Sequence, residues 1–329
     1  MAICVNTLVP SPNGWFKAGE LKKGDLVFDR DGMAQLVTST QLYTPSSMYR
    51  LWYSDGTHIE SDQHQRVQTV TEGKRYMQFK INKNRQRAKR SDSTTEFSSM
   101  QSLFDGPLRD KRDRLNLSTK TCDPVNYYTE DHPVPPFIVG WWFTNRNLRQ
   151  DNLLIDPRLK QYFRKEIEKL RWKTIQKKNG KIKIPQPIDT TMLVRYPTIP
   201  NIMPVHYMFG SVEQRISLLR GIMMNYPDSY KPELDRFILK TRRKSFAKVI
   251  CGLLESLGIR SMATPKKPYI HIKFATDIQL IPWQVNTKPK TAYQYRLIAE
   301  VHEIEPRPCI HIETERPMLI SAAYISSWH

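Results

Sequence analysis

Thiols and clustered cations are the groups in this chain whose types and spacing bear most directly on chemistry. The four cysteines, Cys4, Cys122, Cys251 and Cys309, stand far apart, and no pair has the Cys-x-x-Cys spacing of a zinc or redox site. They signal neither a metal cluster nor a disulfide framework, and each alone is expected to behave as a small buried hydrophobe. Cations are dense in two places. One tract holds Lys160, Arg164, Lys165, Lys169, Arg171, Lys173, Lys177, Lys178, Lys181 and Lys183, beside a Lys178-Asn179-Gly180-Lys181 turn. Lys240, Arg242, Arg243 and Lys244 form the second. Both suit phosphate contacts along a helix or β-ribbon. With 51 Lys and Arg against 32 acids, the 329 residues carry a formal net charge of +19, so a polyanion, nucleic acid first, is the expected partner.

The elements that must position these groups change texture along the chain. Residues 2 to about 84 carry short apolar runs such as Leu26-Val27-Phe28 and Leu51-Trp52-Tyr53, punctuated by Asn13-Gly14, Asp31-Gly32 and Asp55-Gly56. Regular short strands with such turns predict an all-β unit. The polar stretch from Asn82 to about Asp131, with the basic run Lys83–Arg90, reads as loop or linker. Phe137–Phe143 is an apolar run, and helices are predicted at Leu159–Ile175, Val212–Met224 and Ser245–Leu257, the last ended by Gly258. Tyr269–Phe274 alternates like a strand, and β texture returns at Tyr295–Val301, Cys309–Ile312 and Met318–Ser321. With 39% hydrophobic and 10% aromatic residues the chain can fill real cores. It shows no signal peptide and no apolar run near the roughly 20 residues that span a bilayer. The expectation is a protein of the reducing interior, without a membrane.

Several stretches, in this order, resemble the sequence blocks of inteins, the self-splicing proteins built on the Hint domain, especially phage-type ones. Asn6–Trp15 followed by Gly19–Asp29 is similar to their first block, and Asp55–His64 to the second, which carries a Thr/Ser-x-x-His element. Cys309–Glu313 and Ile325–His329 resemble the last two. Between them, Pro136–Asn147 and Ser211–Met223 resemble the paired helices of LAGLIDADG homing endonucleases, and Leu254–Ile259 is also typical of that domain. The resemblance implies a mainly β, horseshoe-like Hint splicing domain formed by both chain ends and interrupted by an α+β LAGLIDADG endonuclease-like domain. The implied boundaries are 1–125 for the first Hint part with its linker, 126–288 for the insert and 289–329 for the second Hint part.

Splicing is acyl transfer, and needs an activated nucleophile, proton transfer and stabilisation of a tetrahedral intermediate. In this family a Thr stands five residues after position one, so Thr7 puts position one at Ala2, which has no nucleophile. Two readings follow. A cysteine at position one has been replaced by Ala2 and splicing is blocked, which the register favours; or Cys4 is position one, behind a remnant of the upstream partner. The resemblance gives Ser61 and His64 the role of polarising the upstream scissile amide, the imidazole protonating the leaving nitrogen. It gives Cys309 the place of an acid or auxiliary nucleophile. One intein class lacks the first nucleophile and uses this Cys with a Trp and a Thr; here those two positions hold Arg66 and Trp328, a departure from that class. His329 matches the penultimate His that assists cyclisation of an Asn expected to follow it.

In the LAGLIDADG family the catalytic acid lies five residues after the helix glycine, where the pair of acids holds Mg²⁺. From Gly140 and Gly221 those positions are Asn145 and Tyr226, so both acids are missing. Asn offers one neutral oxygen and Tyr is a poor metal ligand at neutral pH. Asp151 and Asp228 lie near and are poor substitutes. A degenerate nuclease that keeps its fold is expected, with no cofactor for splicing and Mg²⁺ only if the endonuclease is active. The expected partners are the flanking host-protein segments (exteins), with double-stranded DNA as the candidate ligand of Lys169, Arg171, Lys173, Lys177, Lys178, Lys181, Arg242 and Arg243. A monomer in the cytoplasm of a bacterial or phage-infected cell is expected. The competing readings are an active site-specific homing endonuclease and a plain DNA-binding module.

Overall fold

The computed structural model describes residues 2–72, 96–144, 152–153, 156–170, 175–176, 182–183, 205–285, 294–320 and 325–328. The chain packs as two units: Met1–Asn126 with Leu254–Met262 and Lys288–His329, and Tyr127–Leu253 with Ala263–Thr287. From the N-terminus run β1 (Ile3–Cys4), β2 (Leu8–Ser11), β3 (Gly14–Lys17), β4 (Leu26–Phe28), β5 (Ala34–Tyr43), β6 (Met48–Tyr53), β7 (His58–Asp62) and β8 (Arg66–Thr71). The three predicted turn pairs sit at the hairpins β2–β3, β4–β5 and β6–β7. Gly14, Gly32 and Gly56 have φ of 115°, 79° and 83° there, a region closed to most side chains.

The polar stretch read as loop is in part regular: β9 (Glu96–Ser99), α1 (Met100–Asp105) and β10 (Leu117–Lys120) lie in it. Local pattern hides them because their stabilisation is non-local. β9 pairs with β8, β10 lies between β8 and β18, and Met100 and Leu103 enter the main core. The Lys83–Arg90 run lies outside the described residues.

The second unit carries α2 (Pro136–Thr144), β11 (Asn152–Leu153), α3 (Lys160–Lys169), β12 (Ile175–Gln176), β13 (Ile182–Lys183), α4 (Val212–Met223), β14 (Tyr230–Lys231) and β15 (Arg236–Thr241). Then come α5 (Lys244–Ser256), whose last turn is counted with the first unit, β16 (Ser261–Lys266) and β17 (Tyr269–Phe274). The helix expected over Leu159–Ile175 stops at Lys169, and Ile175 instead pairs with β13. Trp172, Thr174 and Ile175 are poor helix formers and good strand formers, which suits that switch. Among the described residues the unit has a three-stranded sheet, β11-β13-β12, and a four-stranded sheet, β14-β15-β17-β16.

The chain then returns to the first unit with β18 (Tyr295–Ile304), β19 (Cys309–Thr314), β20 (Met318–Ile320) and β21 (Ile325–Trp328). Its sheet of 12 strands runs β20-β21-β8-β10-β18-β6-β7-β1-β19-β5-β4, with β9 added on β8. Strands from both chain ends alternate in it, so neither end could build this sheet alone. Ile3, Val37, Leu51, Ile59, Ile310 and Ile312 point into one core. No helix among the described residues is long and apolar enough to cross a membrane. The protein is mostly β sheet with few helices.

Candidate functional site

β1 is two residues long, yet it lies between β7 and β19, with Ile3 opposite Ser61 and Ile310, and Cys4 opposite Cys309. Side chains alternate across a strand. Ile3 therefore faces the main core while Ala2 and Cys4 face the other way, where they pack with Met48 and Cys309 and against Tyr43 and Ile304. Ala2 and Cys309 are fully buried, and Cys4 nearly so. The Ala2 carbonyl accepts the Asp62 N–H at 2.9 Å. The Cys309 thiol donates to Met48 Sδ at 3.7 Å, and that sulfur also accepts the Arg307 N–H at 3.1 Å. Burial pushes the Cys309 thiol up to about 12, helped by the nearby Cys4, Asp62 and Glu60. It is a neutral thiol at pH 7 unless a base takes its proton.

The polar rim of this cluster is Asp62, to which neither residue pattern nor family resemblance assigns a role. Its carboxylate is buried, accepting the Gln65 N–H at 2.8 Å on Oδ1 and the Tyr43 hydroxyl on Oδ2. Burial, then that bond to Asp62, holds the Tyr43 hydroxyl well above its ordinary range. Asp62 lies opposite Met48 on β6, and Tyr43 opposite Cys309 on β5, so the cluster draws on five adjacent strands. Glu60, on the same face of β7, is held by Arg50 at 2.5 Å and Arg307 at 3.2 Å. Only the ladder reveals these neighbours.

The structure brings together Ala2, Cys4 and Cys309, and separates the other residues picked from sequence. Ser61 is fully buried, but on the Ile3 side of the sheet, and its Oγ has no hydrogen-bond partner among the described residues. His64 is exposed in the turn after β7, its Nε2 3.0 Å from Gln63 Nε2. Arg66 and Trp328 are direct cross-strand neighbours of β8 and β21. His329 lies outside the described residues.

In the second unit α2 and α4 pack backbone to backbone. A Cβ on Gly140 would lie 2.2 Å from the Leu218 carbonyl oxygen and 2.9 Å from the Ile222 nitrogen. One on Gly221 would lie 2.0 Å from the Phe137 carbonyl oxygen and 2.9 Å from the Trp141 nitrogen. These contacts are reciprocal under the shift of 81 residues that also relates Thr144 to Asn225, so the pair has local two-fold symmetry. At the C-terminal ends Asn225 Nδ2 donates to the Trp141 carbonyl at 2.7 Å and to Thr144 Oγ1 at 2.5 Å. Tyr226 stacks on Phe246 at 6.3 Å, and Phe143 stacks on the same ring at 6.3 Å. Neutral amide, hydroxyl and aromatic groups thus occupy this end. Asp228 is exposed and engaged by Arg158 at 2.9 Å, whose guanidinium lies 5.3 Å above the Trp283 ring. No group of three or more His, Cys, Asp or Glu placed to hold a metal occurs among the described residues. Asn145 and Asp151 lie outside them.

Of the cations picked for phosphate contacts, Lys169 is exposed on α3 and pairs with Glu166 at 2.6 Å. Arg242 and Arg243 are exposed between β15 and α5, Arg242 lying 5.0 Å over Tyr269. Burial and the charges of Lys240, Lys266 and Lys273 lower the proton affinity of His271, so that part of the four-stranded sheet is electropositive. Arg171, Lys173, Lys177, Lys178 and Lys181 lie outside the described residues.

No family model matches the sequence. Over 281 residues the chain is 24% identical to the replicative DNA helicase DnaB of Mycobacterium intracellulare, a match covering 81% of this chain and 44% of the helicase. It thus spans less than half the length of that curated relative. Similar solved structures include the Msm DnaB1 intein splicing domain bound with zinc, at 28% identity, TM-score 0.20, covering 20% of this chain and 53% of that one. Another is the gp41-1 intein, at 22% identity, TM-score 0.20, covering 22% and 55%. A third is a set of mesophilic variants of the homing endonuclease I-DmoI, at 12% identity, TM-score 0.27, covering 44% and 91%.

Proposed function

We propose that the first unit is an autocatalytic protein-splicing domain, an intein of the Hint type and phage-like in its blocks, and that the second is a relic LAGLIDADG endonuclease inserted in it. The observation that carries the reading is the placement of β1 between β7 and β19, which sets the candidate first residue beside Cys309 from the far end of the chain. An upstream host segment would be attached at the Ala2 nitrogen, while Asp62 N–H fixes the Ala2 carbonyl. In the acyl shift a thiol or hydroxyl attacks the carbonyl before position one. The C–N bond breaks, and the proton goes to the leaving amine; the resemblance gives that donation to His64, which here is exposed in the turn two residues after Asp62. Ala2 supplies no acceptor, so splicing begun at position one is blocked in this chain.

A second reading is favoured by the burial of Ala2 and Cys309 in one cluster: Cys309 itself accepts the acyl group. The Trp and Thr that accompany this use of the cysteine are replaced by Arg66 and Trp328, which are register partners across β8 and β21. In the second unit, the reciprocal glycine contacts support kinship with the paired LAGLIDADG helices, and the neutral helix ends support loss of metal-dependent cutting. The cations round His271, with Arg242 and Arg243, are the surface proposed to retain DNA. The proposed setting is a monomer in a bacterial or phage-infected cytoplasm.

The test is a fusion with one tag before Ala2 and a second tag after His329-Asn-Ser, its products followed by mass spectrometry. Ala2→Cys is expected to yield ligated tags plus free intein. Ligation by the Ala2 chain, abolished by Cys309→Ser, would establish the second reading; absence of ligation in every version overturns splicing. Cutting of an uninterrupted host-gene target in Mg²⁺ would overturn the relic assignment.

A further inference from the structure

The ladder that sets Cys4 opposite Cys309 also fixes which kind of cross-strand pair they form. The Val5 N–H donates to the Pro308 carbonyl at 3.1 Å, so Val5 and Pro308 are a hydrogen-bonded pair, and the adjacent pair, Cys4 with Cys309, is a non-hydrogen-bonded one. At such pairs the Cα atoms are about 4.5 Å apart and the side chains lie closer than at the alternate sites. That separation falls at the near edge of the roughly 4.4–6.8 Å that a disulfide bridges. Both side chains lie on one face, in one buried cluster, and both are free thiols.

We propose that Cys4 and Cys309 form a reversible cross-strand disulfide that locks the candidate splicing centre under oxidising conditions. The oxidant is hydrogen peroxide. The Cys4 thiolate, at the short and marginally less buried strand end, attacks a peroxide oxygen, giving a sulfenic acid and releasing water once protonated. The Cys309 sulfur then attacks the sulfenic sulfur; the S–S bond forms, and the oxygen leaves as a second water with the thiol proton. Two electrons pass from the thiols to one peroxide, and a dithiol reductant reverses the change. Closure turns Cys309 Sγ away from Met48 Sδ and ties β1 to β19. This deepens the splicing reading, on which its functional consequence rests: whichever of the two sulfurs serves acyl transfer is withdrawn from it.

The chain as it stands is treated with hydrogen peroxide, alkylated with a maleimide, digested and mapped by mass spectrometry. The expected product is one linked peptide pair joining Cys4 to Cys309 with loss of two hydrogens, free thiol disappearing at both positions together and returning with dithiothreitol. Cys4→Ser and Cys309→Ser, verified as folded by circular dichroism, should each abolish the link. Alkylation of both residues after peroxide, or a link from either to Cys122 or Cys251, overturns the proposal. This readout needs no splicing, so failure of the splicing reading leaves it standing. In the tag fusion carrying Ala2→Cys, peroxide should stop processing as the Cys4–Cys309 link forms and reductant should restore it; processing that continues with the link present overturns the lock.

Discussion

In the first unit, side chains from near residues 2, 48, 62 and 309 converge on one sheet face, and their reactive types are still present: two thiols, a carboxylate and a phenol. In the second, Gly140 and Gly221 keep two helices in backbone contact, while the ends of those helices present an amide, a hydroxyl and stacked rings. The difference teaches that packing and chemistry are separately constrained. A side chain at the glycine contact has nowhere to go, so sequence drift there is limited by folding itself. A carboxylate at a helix end contributes little to folding, and two adjacent acids without metal repel, so neutral groups there place no burden on the fold.

The largest expected effect tests whether the first unit depends on a segment embedded in the sequence of the second. Arg296, 2% exposed, bridges Asp55 and Glu255, and Glu255 also accepts the Ser261 N–H at 2.7 Å and the Ser261 hydroxyl at 2.9 Å. Arg296→Met should cost about 3–5 kcal/mol in denaturant unfolding, by leaving buried Glu255 without its cation and Asp55 with Arg260 alone, at 3.7 Å. Deletion of 127–287 in one piece should destabilise the first unit comparably unless 254–262 is retained.

Next comes Gly221→Ala, expected to cost about 3 kcal/mol in the second unit, because the added carbon meets Phe137 backbone rather than a movable side chain. A loss under about 1 kcal/mol would show that α2 and α4 separate easily, and that packing constrains the second unit little more than chemistry does. Tyr43→Phe strips the hydroxyl from buried Asp62 and should cost about 1–3 kcal/mol.

A pH titration separates the units further. Burial, and the neighbouring His206, depress the His132 imidazole to about 4, and burial lowers His206 as well. Below an unfolded value near 6.5 the unfolded chain takes up protons that the folded chain refuses, so stability falls as pH drops from about 6.5 toward about 4 and then levels off. Urea midpoints across that window should fall for the second unit, and His132→Gln should flatten the fall. The smallest effect is expected for Asp228→Asn, whose exposed pair with Arg158 is screened by solvent, so the urea midpoint should not move measurably. A Mg²⁺-dependent rise in Tm that this variant removes would show a metal site at the helix ends after all.

Much of the local structure was legible because its causes are local. The Asn-Gly and Asp-Gly turns, the helix at 212 to about 224 and the end of α5 at Gly258, with φ of 69°, follow from backbone preferences and short-range periodicity. The glycine contact at 140 and 221 was readable through the family pattern, and its backbone distances then gave it a steric reason. What the chain pattern hid were elements held by distant partners, β9 and β10 within a polar stretch; the end of α3 before the strand at Ile175 was missed although its partner, β13, is near in sequence.

By itself, then, the sequence determined which residues can carry acyl-transfer chemistry, which can carry charge, and where the chain must turn, since these depend on residue type and near neighbours. Tertiary structure alone decided that Ser61 faces the core while Asp62 faces Ala2, that Cys4 meets Cys309 at a non-hydrogen-bonded pair, and that Arg296 is neutralised by residues 55 and 255. The physical reason is register: side chains alternate every residue, so a slip of one would exchange every partner, and only long-range pairing sets it.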